Sequence, residues 1–192
     1  MSEGDFLDDR RRASEDDYFR KKDRELIEKM RQAAAAERTA TELRSKTGLS
    51  DPELLKSLQD LGFTPDTIAV LPLVPIVQIA WAEGGVSPAE RDLIVKFARE
   101  RGIAADTPAD VLLNGWMARK PSDAVFARAA GLVRAMLDAG GASGGAGWSA
   151  DELIEYAENI AAASGGLFGL GKVSSSERET LAKITSALKR KT

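Results

Sequence analysis

"IAWAEGGVSPAERDLIVK", residues 79–96, contains the pattern that decides the fold of this chain. The pattern recurs at 160–183 as "IAAASGG" and "VSSSERETLAK", which are separated by the six residues "LFGLGK". Ten of the eighteen aligned positions are identical when that insertion is set aside. Each copy has an apolar helical segment, a Gly-Gly stop and a serine that starts a second helix. The repeat therefore predicts two helical hairpins that pack apolar face to apolar face around one shared core.

Signals for helix starts are frequent outside the repeat as well. In a capping box, a serine and a glutamate three residues later bond to each other's backbone N–H groups. Four such pairs occur in the sequence: Ser50 with Glu53, Ser87 with Glu90, Ser149 with Glu152, and Ser174 with Glu177. Segments that alternate apolar and polar residues, as half-buried strands do, are absent. The sequence thus predicts an all-α fold.

Composition divides the chain into two parts. Residues 1–46 hold 12 acidic and 12 basic side chains and few large apolar ones, so they cannot form a core of their own. Residues 47–192 hold nearly all the apolar side chains. We expect a long charged N-terminal helix over 1–46 and a two-half helical bundle over 47–192. Its halves would be about 47–137 and 148–192, joined by a glycine-rich connection at 138–147.

The composition also excludes several classes of function. The chain has neither cysteine nor histidine, which removes thiolate chemistry, the commonest general base and the commonest transition-metal ligand. We therefore expect a protein that is not an enzyme. The net charge of −3 gives no general attraction to nucleic acid or to an anionic membrane. The most apolar segment, 69–82, has two prolines and is too short to span a bilayer, which favours a buried helix and a cytoplasmic protein.

The repeat resembles the tellurite-resistance TerB-like family, a compact all-helical domain built from two related halves. The matching residues are Ala80–Gly85 with Ser87–Glu90, and Gly165–Gly166 with Val173–Glu177, within a resemblance that covers roughly 69–190. The resemblance implies a stress-response binding module, and some family members bind a divalent cation through acidic residues near these turns. The corresponding residues here are Glu83, Glu90, Glu177 and Glu179. Capping alone also explains Glu90 and Glu177, so no cofactor is required.

The N-terminal segment "LDDRRRASEDDYFRKKDRELIEKMRQ", residues 7–32, resembles the inhibitory segment of the mitochondrial F-type ATPase inhibitor protein. In that family a helix inserts between an α and a β subunit of the catalytic head, contacts the γ stalk and blocks rotation in the hydrolysis direction. The family pattern Arg-x-x-Ala, then Glu-x-x-Tyr-Phe-Arg, falls on Arg10, Ala13, Glu15, Tyr18, Phe19 and Arg20. The following glutamate and apolar anchors fall on Glu25, Ile27 and Met30.

The chain departs from the inhibitor family in two respects. The family usually continues into a coiled-coil dimerisation tail, whereas this chain continues into the predicted bundle. The mitochondrial form responds to pH through histidines, and this chain has none. The resemblance implies a regulator that inhibits ATP hydrolysis by an F-type ATP synthase.

The N-terminal pattern also has a plainer interpretation. As a helix, the segment places Phe19, Leu26 and Met30 on one narrow apolar stripe, which Tyr18 and Ile27 widen. Such a stripe can pack on its own domain or on a second copy of the chain. The alternative hypothesis is therefore a TerB-like module, with or without a divalent cation, whose N-terminal helix serves self-association.

Overall fold

The structure, a computed structural model, describes residues 3–140, 148–163 and 173–189, with side chains from residue 18 onward. These residues form one 3-10 helix and eight α-helices, and no strand occurs among them, which confirms the all-α prediction. The α-helices are α1 (Glu3–Thr47), α2 (Pro52–Asp60), α3 (Val74–Ala80), α4 (Pro88–Glu100), α5 (Pro108–Ala118), α6 (Asp123–Asp138), α7 (Ala150–Ala163) and α8 (Ser175–Lys189); the 3-10 helix spans Ile68–Leu73. The chain divides into two compact units, residues 1–39 and 40–192.

The long N-terminal helix is α1, which has 45 residues. Strong helix formers fill its sequence, including the run of four alanines at 33–36. The last two turns, from residue 40 onward, belong to the second unit, where Leu43 is fully buried. The helix ends at Gly48, whose φ of 72° is a left-handed conformation that disfavours residues with a Cβ.

The centre of the second unit is the segment predicted as one buried helix over 69–82. The segment is buried, but it divides into the 3-10 helix and α3. Pro72 and Pro75 have no backbone N–H to donate, which interrupts the regular α-helical ladder. Nearly every residue of α3 is buried, and α3 packs against α6, α7 and α8. It is therefore the core helix around which the bundle is arranged.

The two copies of the sequence repeat lie on α3–α4 and on α7–α8. Their first helices, α3 and α7, pack directly on each other, and α4 also packs on α7. Between α3 and α4 the chain turns at Gly84, which has a φ of 90°. The equivalent turn of the second copy and most of the predicted glycine-rich connection, residues 164–172 and 141–147, lie outside the described residues.

Three of the four predicted capping boxes are confirmed. At α4, Ser87 Oγ accepts from Glu90 N at 3.3 Å, and Glu90 Oε2 accepts from Ser87 N at 2.7 Å. The reciprocal bonds also form at the starts of α7 and α8 (Ser149 with Glu152, Ser174 with Glu177). The prediction for α2 is wrong, because Asp51 rather than Ser50 caps that helix. This choice places Pro52 at the first helical position, where its missing N–H costs nothing.

A partly buried arginine joins α4 to α7. Arg101, just after α4, donates to Glu152 Oε1 at 2.9 Å and to the Tyr156 hydroxyl at 3.1 Å. Its guanidinium lies 4.6 Å from the ring centroid of Trp148, and Tyr156 stacks on Phe97 at 4.0 Å. The Arg101 side chain is 13% exposed, so both its charge and its stem are largely removed from water. These contacts lock the start of α7 against the end of α4.

None of the helices in the described part of the chain has an apolar segment long enough to cross a membrane.

Candidate functional site

The first candidate site is the apolar face of α1. Five of its large apolar side chains are exposed: Tyr18 58%, Phe19 61%, Leu26 58%, Ile27 48% and Met30 64%. Phe19 and Leu26 are seven residues apart and Met30 follows four later, so they share one side of the helix. We call these five residues the apolar stripe. In the second unit, Val111 is the single large apolar residue that is exposed among the described side chains.

The two aromatic rings of the stripe are arranged edge to face. The centroids of Tyr18 and Phe19 lie 5.9 Å apart with an interplanar angle of 72°. Lys22 Nζ lies 5.8 Å from the Tyr18 centroid and 3.9 Å from Glu25 Oε2. Contacts between such exposed groups contribute little to stability in water. The rings therefore have little structural purpose within α1 itself, which is the pattern expected of a recognition surface.

The remaining residues predicted from the inhibitor resemblance fall in the same helix. Arg20 and Glu25 are exposed on α1 beside the stripe. Arg10, Ala13 and Glu15 lie earlier in α1, among residues whose side chains are outside the described part of the structure.

The second candidate site is a pair of buried glutamates in the bundle. Glu90 is 3% exposed and Glu177 is 1% exposed, each at the capping position of its copy of the repeat. Burial raises the pKa of Glu90 above its ordinary value, and the charges of Glu177 and Glu83 raise that pKa further. The hydrogen bonds from Ser87 oppose this shift. The equivalent carboxylates of the two copies are thus both buried, and the charge of one acts on the other.

The Glu177 carboxylate is only half satisfied. Its Oε2 accepts from Ser174 N at 2.7 Å. Its Oε1 is buried and accepts no hydrogen bond from any group that the structure describes. An unpartnered buried carboxylate oxygen is costly, so a hydrogen-bond donor or a cation at this position would lower the energy.

The other two predicted metal ligands are exposed to solvent. Glu83 is exposed in the turn after α3, and Glu179 is exposed on α8, where it accepts from Lys183 Nζ at 2.7 Å. No group of three or more acidic side chains that could hold a metal ion occurs among the described residues. Of the four predicted ligands, Glu83 and Glu177 both act on Glu90 through their charges, and Glu177 is the one that is buried with it.

Comparisons with protein-family models, with curated proteins and with solved structures find no match for this chain.

Proposed function

We propose that this protein is a non-enzymatic cytoplasmic regulator that inhibits ATP hydrolysis by an F-type ATP synthase. In this proposal α1 inserts into the catalytic head and contacts its α, β and γ subunits. The observation that carries the proposal is the exposed stripe on a helix that is otherwise densely charged. The order of residues around Tyr18 and Phe19, which resembles the inhibitor family, names the partner.

Burial of the stripe would supply the binding energy. A fully buried side chain of this size contributes about 2 kcal/mol before ordering costs. The segment 18–39 is about 33 Å long at 1.5 Å per residue, enough to cross a subunit interface. Tyr18 and Phe19 would fill apolar pockets, while Arg20 and Glu25 would pair with polar groups at the rim. This is recognition of a helix in a groove.

The charges around the stripe favour a foreign groove over a second copy of α1. In a coiled-coil heptad with Phe19 and Leu26 at the first core position, Lys22 and Lys29 would occupy the second; with Phe19 and Leu26 at the second, Asp23 and Met30 would occupy the first. Either register of a self-associated dimer buries like charges that face their symmetry mates, two lysines in the first case and one aspartate in the second. A groove in another protein can instead leave both lysines at its edge.

The test uses the purified catalytic head of an F-type ATP synthase and the full-length protein. We expect the wild type to inhibit ATP hydrolysis and Phe19→Ala to raise the half-inhibitory concentration by about 10–100-fold, as loss of a buried aromatic anchor does. The matched control is Val111→Ala, which removes an equally exposed apolar side chain from α5. Absence of inhibition by the wild type, or equal effects of the two substitutions, would contradict the proposal.

A second candidate function is divalent-cation binding by the bundle, which the TerB-like resemblance implies. The observation that favours it is the unpartnered Oε1 of buried Glu177, whose charge also acts on Glu90. Two carboxylates provide only part of an oxygen shell, so a cation there would keep water ligands. Calorimetric titration with Mg²⁺ and Ca²⁺ tests this, with Glu177→Gln expected to abolish binding and Glu179→Gln to leave it unchanged. Equal heats for both variants would contradict cation binding at this pair.

A further inference from the structure

Three arginines of α1 repeat at intervals of seven residues: Arg24, Arg31 and Arg38. All three are exposed. Seven residues are close to two helical turns, so the three side chains project from the same side, about 10 Å apart along the axis. We call them the arginine row. It spans about 21 Å of α1.

The arginine row makes few contacts within α1. Arg24 Nε donates to the backbone oxygen of Arg20 at 3.2 Å. No ion pair joins any of the three arginines to a side chain within the described part of the chain, although Lys22 on the same helix pairs with Glu25. Guanidinium groups form their strongest contacts with carboxylates, through two parallel hydrogen bonds. The three guanidinium groups are therefore available to bind carboxylates of an acidic partner.

The arginine row adjoins the apolar stripe through Ile27. Ile27 lies three residues after Arg24 and four before Arg31, so all three residues lie on the same side of the helix. Lys22 and Lys29, also seven residues apart, lie between Tyr18 and Leu26, on the side of Leu26 that faces away from the row. A partner that buries Phe19, Leu26 and Met30 therefore has the arginine row on one side and this lysine pair on the other.

The local charge favours an acidic partner. The part of α1 that carries the stripe and the row, residues 18–39, contains seven basic and four acidic side chains, a net charge of +3 (7 − 4), whereas residues 1–17 contain three basic and seven acidic ones. A lipid surface is disfavoured because Asp23, four residues from both Phe19 and Ile27, interrupts the apolar face. Its carboxylate would be buried in hydrocarbon without a partner. A protein groove can supply a donor to Asp23.

We propose that α1 docks in an apolar groove of a partner protein with one acidic wall, and that the arginine row binds this wall. The inference rests on the proposed function, in which the groove belongs to the catalytic head. It adds Arg24, Arg31 and Arg38 to the residues that determine affinity and fixes which flank of the stripe faces the acidic wall.

The test compares two double variants of the full-length protein in the same hydrolysis assay. Arg24→Gln/Arg31→Gln removes two charges from the row, and Lys22→Gln/Lys29→Gln removes two from the opposite flank at the same spacing. Glutamine is a good helix former, so circular dichroism is expected to be unchanged. We expect the arginine variant to raise the half-inhibitory concentration about 30-fold or more at low salt, and the lysine variant less than about threefold. The difference is expected to shrink as salt increases.

Each other outcome has a distinct meaning. Equal weakening by both variants would show general electrostatic attraction and overturn the acidic wall. Full inhibition by the arginine variant, with inhibition lost in Phe19→Ala, would overturn the wall and leave the proposed function standing. If the wild type does not inhibit, the proposed function fails and this inference fails with it. Binding of the wild type to phosphatidylserine vesicles, lost in the arginine variant, would assign the row to a membrane and overturn the proposal.

Discussion

Replacing Glu177 by glutamine is expected to stabilise the bundle. Glutamine can still accept from Ser174 N, so the capping box at the start of α8 is retained. The substitution removes a buried charge whose Oε1 accepts no hydrogen bond from described groups and which raises the pKa of Glu90. An unsatisfied buried polar group costs about 1–3 kcal/mol. We expect the free energy of unfolding to rise by about 1–2 kcal/mol near neutral pH, because the new amide remains buried.

The pH dependence follows from the pKa of Glu90. Because that pKa is raised in the folded state, the stabilising contribution of Glu90 is complete below its ordinary value of 4.5 and is lost as the pH rises through the raised value. Removing the charge of Glu177 lowers the pKa of Glu90 toward the ordinary value, so less of this contribution is lost. The advantage of Glu177→Gln is therefore expected to be greatest at about pH 7.5 and smaller near pH 4.

Urea denaturation with a chelator present, across this pH range, measures the effect. A gain of 1–2 kcal/mol corresponds to a rise in Tm of roughly 2–8 °C for a chain of this size. Glu179→Gln on the same helix removes an exposed charge and is expected to change stability by less than about 0.5 kcal/mol. Glu177→Ala also loses the capping acceptor and is the control for capping. If Glu177→Gln destabilises the protein in chelator, the charge is needed by the fold itself and the reasoning is refuted. Destabilisation seen only with a divalent cation present would instead support the second candidate function.

Three further predictions concern stability. Arg101→Ala removes the contacts of this side chain with Trp148, Glu152 and Tyr156, which is expected to lower the free energy of unfolding by about 1–2 kcal/mol in urea titrations, mostly through lost packing because Glu152 is 43% exposed; a loss below about 0.5 kcal/mol would show that the contact is dispensable. Leu43→Ala is expected to lower the free energy of unfolding, measured by calorimetry, by about 3 kcal/mol because Leu43 is fully buried. Leu26→Ala, at an exposed position of the same helix, should change it little. Equal effects would contradict the burial of the last turns of α1. A hydrogen bond from Arg99 lowers the pKa of Asp110, so this pair stabilises the fold at pH values above 3.8, the ordinary pKa of an aspartate. The contribution is lost as the pH falls through the lowered pKa. Arg99→Gln is expected to make the free energy of unfolding fall less steeply at acidic pH, and an unchanged dependence would refute this.

Local sequence signals predicted the helices that carry clear start residues. Ser87, Ser149 and Ser174 cap their helices as expected, because a capping box involves only four consecutive residues. The same reasoning misassigned the start of α2, where Pro52 makes Asp51 the better cap than Ser50. It also predicted a single helix over 69–82, where two closely spaced prolines produce a 3-10 helix followed by α3.

The candidate sites were predicted unequally. The apolar stripe was evident from spacing along one helix. The row of Arg24, Arg31 and Arg38 was not predicted, because its meaning depends on the absence of ion pairs among described side chains. Glu90 and Glu177 were identified singly, as capping residues and as ligands implied by resemblance. Their mutual interaction and the unpartnered Oε1 depend on the packing of α8 in the bundle.

The amino-acid sequence alone determined the helical class of this protein, the internal repeat, three of the helix starts and the residues that form the stripe of α1. Each of these depends on residues that are neighbours along the chain or on one helix. Only the tertiary structure decided that Leu43 belongs to the core, that Arg101 is enclosed by Trp148 and Tyr156, and that the stripe is exposed. Burial and proximity are properties of distant segments that pack together, and no local pattern states which segments will meet.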